Sequence, residues 1–374
     1  TKTCQFSFFF KTMCCFQQKY YKIVSCNSKY NIMKFKYYFF IILVFSLVVF
    51  TCQPDDEQVQ VAPPRDRVEQ QLDDIDSLQV YFNTHYYNSG AIDALSSYPT
   101  IADIEISELN DGETLPPDTT LLIDVVEEKH TVFRDTDYTY YTLTLDEGAG
   151  ENPHFSDQVR VNYEGFLTTG VTFDASVTSV DIDLPSAIAG WNRILPQFKT
   201  ANQYTTNSDG TVSFENYGIG MMFLPSGLAY FNNAVAGIPT YSCLIFKFEL
   251  QQYKIMDHDN DYIPSYMEDI DADLDVFSDN TDGDNLSNFI DGDDDGDGYS
   301  TYREVYSTEL TADSLEDLEA QTLAFEPLDS DQFFTPVQLG NDGSYSTKLI
   351  TLEDSNANGI PNYLDAEDTG TLDN

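Results

Sequence analysis

Residues 159–176 read VRVNYEGFLTTGVTFDAS, and this stretch decides the fold of the central part of the chain. Its first five residues alternate between apolar or aromatic and polar side chains, which is typical of a half-buried β-strand. Residues 138–145, 220–224 and 243–252 share its richness in aromatic and β-branched residues. The pattern predicts a domain of the α+β class, an antiparallel β-sheet with one short helix.

Five short segments follow one another within residues 138–253. They read VRVNYEGFL at 159–167, GVTFDAS at 170–176, AIAGW at 187–191, LPSGLAY at 224–230, and GIP at 237–239 with LIFKFEL at 244–250. In this order they resemble the conserved segments of FKBP-type peptidyl-prolyl cis-trans isomerases. The resemblance implies a sheet wrapped on the short helix and rotamase activity, the isomerisation of bonds that precede proline.

The same resemblance implies a pocket for the prolyl ring. Trp191 would form its floor, and its walls would be Tyr163, Phe173, Ile238 and Phe246. The backbone N–H of Ile188 and the hydroxyl of Tyr230 would hold substrate carbonyls, while Asp174 would lie at the edge, bonded to Tyr163. The expected substrates are proline-containing exported proteins or peptides.

The chemistry of isomerisation explains why aromatic residues suit this task. Rotation about the X-Pro bond breaks amide resonance against a barrier of about 18–20 kcal/mol. An apolar, partly dry pocket disfavours the polar planar amide and favours the twisted state. Neither a nucleophile nor a cofactor is required for this reaction.

Three departures from the family pattern favour a rival hypothesis. Val180 stands where a wall aromatic is usual, Ala187 replaces a larger apolar residue, and Phe231 replaces the glycine after the pocket tyrosine. An insertion between Phe198 and Gly220 also carries a hairpin signal, NSDG at 207–210. The rival is a binding or adhesion lipoprotein whose FKBP-type fold has weak turnover.

Residues 257–374 form an acidic tail that holds 32 Asp and Glu against only Arg303 and Lys348. Such a segment repels itself unless cations neutralise it. One stretch fits the calcium-loop pattern D-x-D-x-D-G-x5-E in full, and its expected ligands are Asp293, Asp295, Asp297, the carbonyl of Tyr299, and Glu304. The alternative is a solvated acidic tail without fixed metal.

Two further stretches are related to this loop. Their expected Ca²⁺ ligands are Asp257, Asp259, Asp261 and Glu268 in the first, and Asp354, Asn356, Asn358 and Asp365 in the second. Between them, residues 269–291 resemble thrombospondin type 3 repeats, a family in which calcium ions rather than a hydrophobic core organise the chain. The resemblance implies a loop-rich calcium-binding repeat tail over residues 257–374.

The N-terminal part has the layout of a lipoprotein signal peptide at residues 33–52. The apolar run YYFFIILVFSLVVF at 37–50 follows Met33 and two lysines and ends before Cys52. Cys52 is the expected lipidation site, and a signal anchor with an incidental cysteine is the alternative. The acidic QPDDE at 53–57 favours the cell surface of a bacterial outer membrane, with the periplasm as the other location.

The remaining expectations concern the chain ends and the net charge. Residues 1–32 precede the start candidate Met33 and are an upstream artefact or a long leader, whereas residues 53–137 are a tether and a helix and strand extension. A helix is predicted over residues 66–88, and Cys243 is predicted to be a small buried residue. The net charge of −45 excludes nucleic acid as a partner.

Overall fold

The computed structural model describes residues 63–368 of the chain. The predicted signal peptide, the lipidation site Cys52, residues 1–32 and most of the tether lie outside the described residues. Within residues 63–368, no helix has both the length and the apolar character needed to cross a membrane.

A six-stranded antiparallel sheet with the order β4-β5-β10-β11-β6-β7 forms the centre of the molecule. Its strands are β4 (Glu127–Phe133), β5 (Thr136–Asp146), β6 (Gln158–Leu167), β7 (Thr172–Asp183), β10 (Gly218–Leu224) and β11 (Leu244–Lys254). The sheet therefore includes β4, which the sequence assigned to the extension, and the boundary drawn at residue 138 falls inside β5.

Both faces of this sheet are covered, and each cover creates its own hydrophobic core. Helix α3 (Ala189–Ile194) packs on one face, where its residues Trp191 and Ile194 share a core with Phe248 of β11. On the other face lies a second core that includes Leu78 and Phe82. Burial on both sides explains why β10 reads GIGMMFL, a continuous apolar run in which every residue is buried, rather than an alternating one.

Helix α1 (Arg67–Thr84) covers that second face and confirms the predicted N-terminal helix. It begins after Asp66, whose carboxylate caps it by accepting the N–H groups of Val68 and Glu69. Its buried face is partly polar, because Asp74 is buried whereas Val68 and Leu72 are exposed. The elements that follow are β1 (His85–Tyr87), α2 (Ser89–Asp93), β2 (Ile106–Glu108) and β3 (Thr120–Leu121).

The insertion between Phe198 and Gly220 forms a separate two-stranded hairpin of β8 (Gln203–Thr206) and β9 (Val212–Glu215). Its turn contains the predicted NSDG sequence, with Gly210 at a φ of 85°. Cys243, also as predicted, is buried. Single 3-10 turns lie at Ile101–Asp103, Leu122–Asp124, Leu195–Gln197, Ser226–Leu228, Ser265–Met267, Asn288–Ile290, Thr301–Arg303, Leu323–Phe325 and Asn362–Leu364.

The acidic tail contains more regular structure than the predicted series of loops. After loops up to residue 304 come β12 (Val305–Ala312), α4 (Leu315–Thr322), β13 (Gln332–Phe334), β14 (Gln338–Leu339) and β15 (Tyr345–Leu352). The four strands form one sheet, whose side toward the loops carries a small core of Ile263, Val305, Ile350 and Tyr363. The expectation of a tail without a core was wrong here, because Val305 of β12 and Ile350 of β15 pack with Ile263 and Tyr363 of the loops.

Candidate functional site

One cavity of about 270 Å³ lies between the central sheet and α3. All eight residues that the family resemblance nominated line it: Tyr163, Phe173, Asp174, Ile188, Trp191, Tyr230, Ile238 and Phe246. The cavity wall also includes Ile182, Ala187, Val235 and Ala236, which the sequence did not single out as ligand-binding residues. The sequence marked Ala187 as a departure from the family pattern, whereas Ile182, Val235 and Ala236 have no chemical signature and are identified only by their position.

The aromatic side chains of the cavity meet edge to face around Phe246. The Phe246 ring centroid lies 5.3 Å from that of Trp191 and 5.5 Å from that of Phe173, with interplanar angles of 76° and 86°. Tyr163 meets Trp191 at 5.4 Å and 85°. Such pairs are more favourable than their buried area alone predicts, by about 0.5–1.5 kcal/mol each. The walls are therefore held by one another as well as by the strands.

Gly165 in β6 permits this close arrangement of rings. A Cβ atom at this position would lie 2.6 Å from Cζ of Phe173 and 2.7 Å from Cε1 of Phe246. Gly165 lies opposite Phe246 on β11 and opposite Asp174, the residue after Phe173, on β7. The missing side chain therefore leaves room for the rings of Phe246 and Phe173. Helix α3 approaches the sheet for a similar reason, since a Cβ at Gly190 would lie 2.5 Å from the side chain of Leu224.

The polar edge of the cavity consists of Tyr163 and Asp174. The hydroxyl of Tyr163 donates a hydrogen bond of 2.6 Å to Oδ2 of Asp174. Burial, together with this bond and the charge of Asp174, raises the pKa of Tyr163 to about 12. The phenol therefore stays protonated at neutral pH, and the carboxylate holds it in one orientation.

Within residues 257–368 of the tail there are four acidic clusters, and within each the candidate ligand oxygens are all within 4.8 Å of one another. They are Asp259, Asp261, Glu268 and Asp294; Asp269, Asp271 and Asp273; Asp282, Asp284 and Asp291; and Asp293, Asp295 and Asp297. Carboxylate oxygens grouped in this way are the donors that hard cations such as Ca²⁺ prefer. The clusters could hold metal ions.

The predicted loop with the full calcium pattern brings Asp293, Asp295 and Asp297 together. Glu304 is only 1% exposed, and its Oε1 has no hydrogen-bond partner. Burial and the charges of Asp295, Asp297 and Asp293 raise the pKa of Glu304 to about 8. Tyr299 is 38% exposed and its N–H donates to Asp297 at 2.7 Å, whereas a ligand role for its carbonyl stays a prediction.

In the first related loop the structure assigns Asp257 a backbone role. Its carboxylate accepts N–H groups from Asn260, Asp261 and Tyr262 at 2.7, 3.2 and 3.1 Å, which closes the loop. In the cluster with Asp259, Asp261 and Glu268, the fourth member is Asp294 from the neighbouring loop. The sequence did not nominate Asp294, because the calcium-loop pattern assigns ligands to the alternate residues on either side of it.

The last predicted loop differs from the others, because its polar residues are already bonded to one another. The amide groups of Asn356 and Asn358 donate to Oδ2 of Asp365 at 2.9 and 2.7 Å. These bonds lower the pKa of Asp365. Asp354 accepts the N–H groups of Asn358 and Gly359 at 3.0 and 2.8 Å, in the same manner as Asp257. The structure does not group these residues into an acidic cluster.

Comparison with known proteins bears on the central block. The chain is 33% identical over 113 residues to the FKBP-type peptidyl-prolyl cis-trans isomerase FkpA of Escherichia coli K12, covering 29% of this chain and 36% of FkpA. It is 32% identical over 114 residues to the peptidyl-prolyl cis-trans isomerase Mip of Coxiella burnetii, covering 29% of this chain and 43% of Mip. The chain contains a region homologous to FKBP-type peptidyl-prolyl isomerases.

Two solved structures and one family model also match parts of the chain. A solved peptidyl-prolyl isomerase from Pseudomonas syringae pv. tomato is 26% identical and matches with a TM-score of 0.26, covering 31% of this chain and 75% of that one. The solved FkpA of Escherichia coli is 31% identical, with a TM-score of 0.26 and coverage of 31% and 48%. Residues 258–322 of the tail match the family described as BamM C-terminal. The chain spans less than half the length of FkpA and Mip.

The region homologous to FKBP-type isomerases departs at three positions from the pattern that the sequence resembles, and only one of these positions lines the cavity. Ala187 is part of the cavity wall, whereas Val180 pairs with Val161 in the sheet. Phe231 has a φ of 49°, a left-handed conformation that explains the glycine usual in the family. Its buried ring instead packs on Tyr241, with ring centroids 5.1 Å apart, and under the guanidinium of Arg67 at 4.3 Å. Ala187 is therefore the one of the three that contacts the cavity directly, and the effect of Val180 and Phe231 on the pocket stays a prediction.

Proposed function

We propose that the protein is a peptidyl-prolyl cis-trans isomerase that acts on proline-containing segments of exported proteins. The observation that carries the proposal is the convergence of Tyr163, Asp174, Trp191 and the other nominated residues on one cavity. Homology to FkpA and Mip supports an isomerase-like function of this region.

The geometry suits catalysis without a covalent step. The prolyl ring would enter the aromatic cavity over Trp191, where water is partly excluded and the planar, dipolar amide is poorly solvated. The bond from Tyr163 to Asp174 fixes a polar edge at the cavity mouth before substrate arrives. A polar edge that is already held in place costs no reorganisation when the amide twists, so it favours the twisted state over the planar one. Tyr230 and the N–H of Ile188 would hold the flanking carbonyls.

The test is isomerisation of a short X-Pro peptide by the full chain, measured by exchange NMR. Asp174→Asn keeps the size of the side chain but removes the charge that orients Tyr163. A hydrogen bond to a charged group contributes about 1.5–3 kcal/mol, so kcat/KM should fall about 10- to 100-fold. Asp209→Asn, which makes the same change in the exposed β8–β9 hairpin, is the matched control and should keep full activity.

The outcomes separate the two candidate functions. Wild-type protein that is folded but gives no rate above background would refute the enzyme proposal and favour the binding or adhesion lipoprotein. Ala187 favours this second function, because a small residue widens the cavity where the family has a larger one. In that case a proline-containing peptide should still bind, with loss of affinity in Asp174→Asn.

We also propose that the tail binds Ca²⁺ as a structural cation and that Cys52 anchors the protein to a bacterial outer membrane through lipid. The buried carboxylates without partners, such as both oxygens of Glu268, support the calcium proposal. Calorimetric titration of the full chain with Ca²⁺ tests it, and absence of any heat of binding would refute it. Protease treatment of intact cells distinguishes surface from periplasmic exposure, and Cys52→Ala should release the protein from the membrane fraction.

A further inference from the structure

Two loops that the sequence treats as separate calcium motifs meet at one buried cluster. Asp259, Asp261 and Glu268 come from residues 257–268, whereas Asp294 comes from the following calcium loop. Within that second loop, Asp293 and Asp295 belong to a different cluster from the Asp294 that lies between them. Neighbouring carboxylates of one loop therefore face two different sites.

Most carboxylate oxygens of this cluster are buried without a compensating hydrogen bond. Glu268 is fully buried, and Asp261 and Asp294 are each 2% exposed. Both oxygens of Asp259, Glu268 and Asp294, together with Oδ2 of Asp261, have no hydrogen-bond partner. An unpaired buried carboxylate costs far more than an unpaired amide, so several of them in contact require protons or a cation.

The size and donor set of the cluster fit one divalent cation. Two oxygens on opposite sides of an ion at about 2.4 Å are about 4.8 Å apart. The candidate oxygens of the four side chains lie within 4.8 Å of one another, which is the separation that ligands of one common ion require. Ca²⁺ takes about six to eight oxygens and accepts bidentate carboxylates, and the unpartnered oxygens are numerous enough to meet this requirement.

We propose that a single Ca²⁺, bound jointly by Asp259, Asp261, Glu268 and Asp294, joins residues 257–268 to residues 293–304. This ion is separate from the one bound by Asp293, Asp295 and Asp297. This inference rests on the proposed calcium binding of the tail and adds to it a site between loops and a new ligand, Asp294. The ion holds residues 257–268 against residues 293–304. Contacts within one loop cannot provide such a connection between the two loops.

The surroundings of this site give it a further role at the junction with the FKBP-type region. In the same loop, His258 contacts Asp183 at the end of β7, with Nε2 and Oδ1 3.0 Å apart. The Tyr266 ring stacks on His154 with centroids 3.6 Å apart. Asp183 directly follows Ile182, a residue of the isomerase cavity. The ion therefore orders the segment by which the tail is attached to the central sheet.

The experiment is titration of the full chain with Ca²⁺, with the number of bound ions counted by native mass spectrometry. Asp294→Asn should bind one ion fewer or bind it at least about 10-fold more weakly, the lower limit seen when even an outer partner of a metal site is lost. Asp313→Asn, the same change at an exposed tail residue outside the clusters, should bind like wild type. Hydrogen exchange of residues 257–268 should slow with Ca²⁺ in the control and not in Asp294→Asn.

The outcomes keep this inference apart from the broader one. If wild type and Asp294→Asn bind the same number of ions with the same affinities, the joint site is refuted while calcium binding by the tail stands. If wild type binds no Ca²⁺, both are refuted. Should Asp294→Asn fail to fold, crystals of wild type soaked with Tb³⁺ decide the question. An anomalous peak between the four carboxylates supports the site, and its absence there, with peaks at other clusters, overturns it.

Discussion

Replacing Gly165 with alanine tests whether the packed rings create the catalytic pocket. The new Cβ would lie 2.6 Å from Phe173 and 2.7 Å from Phe246, whereas carbon atoms prefer about 3.5–4.0 Å. Both rings would have to retreat by about 1 Å, and their free side is the cavity. Overpacking of this kind destabilises a fold by about 1–3 kcal/mol, and misplacement of a site by about 1 Å can cost about 100-fold in rate. We expect kcat/KM to fall about 10- to 100-fold.

Gly170→Ala is the matched control for this prediction. Gly170 lies in the turn between β6 and β7 with a φ of 76°, and no atom lies within 4 Å of a Cβ added there. Its alanine variant should lose about 1–2 kcal/mol of stability from backbone strain alone, without moving a ring. The comparison therefore separates lost stability from lost geometry.

Two measurements check the Gly165 prediction. The isomerisation assay gives kcat/KM, and the fluorescence of Trp191, the only tryptophan, reports the position of the Phe246 ring beside it. Activity and emission should change in Gly165→Ala and stay at wild-type values in Gly170→Ala. If a folded Gly165→Ala protein keeps wild-type kcat/KM, then the edge-to-face contacts do not set the pocket.

Other perturbations act elsewhere in the molecule. Asp74→Asn should lower the free energy of unfolding in urea by about 1–3 kcal/mol, because buried Asp74 accepts the N–H and hydroxyl of Ser226 at 2.8 and 2.7 Å. Asp76→Asn on the exposed side of α1 is its control and should be neutral. The difference between the ultraviolet pH titrations of wild type and Tyr163→Phe should show no ionisation of Tyr163 at pH 10, where an unperturbed tyrosine is half ionised. Because the folded state disfavours the phenolate, stability from this group is lost only as the pH rises from about 10 to about 12. Chelation by EDTA should make residues 255–304 sensitive to protease while the central sheet stays resistant; equal resistance with and without EDTA would contradict a structural role of calcium.

The pocket could be predicted from the sequence because its residues sit in strands with clear local patterns. The alternation of Val159, Val161 and Tyr163 identifies β6, and the order of the following segments then nominates the cavity residues. Each nomination depends on one residue and its immediate neighbours. The structure brings those residues to one cavity, whereas their action on a substrate remains a prediction.

The features that could not be predicted depend on contacts between distant segments. Asp294 lies in a run of aspartates and cannot be told apart from its neighbours by the local sequence. Only the packing of residues 257–268 beside it makes it part of another cluster. From the sequence alone, Phe231 is only a departure from the family pattern at the pocket. Its contact with Arg67, which is far away in the sequence, appears only in the structure. The edge strand β4 likewise has no motif, since its exposed residues are mixed and only its pairing with β5 defines it.

The segment that enters α1 is bonded to the loop at the rim of the cavity. The backbone N–H of Arg65 donates to the hydroxyl of Tyr241 at 3.0 Å, and Arg67 donates to the carbonyl of Gly227 at 3.3 Å. These partners lie at the two ends of the loop that carries Tyr230 and Ile238 of the cavity. The guanidinium of Arg67 also donates to the hydroxyl of Tyr138 in β5 at 2.9 Å. Tension applied to the chain before Arg65 would therefore act on the rim of the cavity and on the central sheet together.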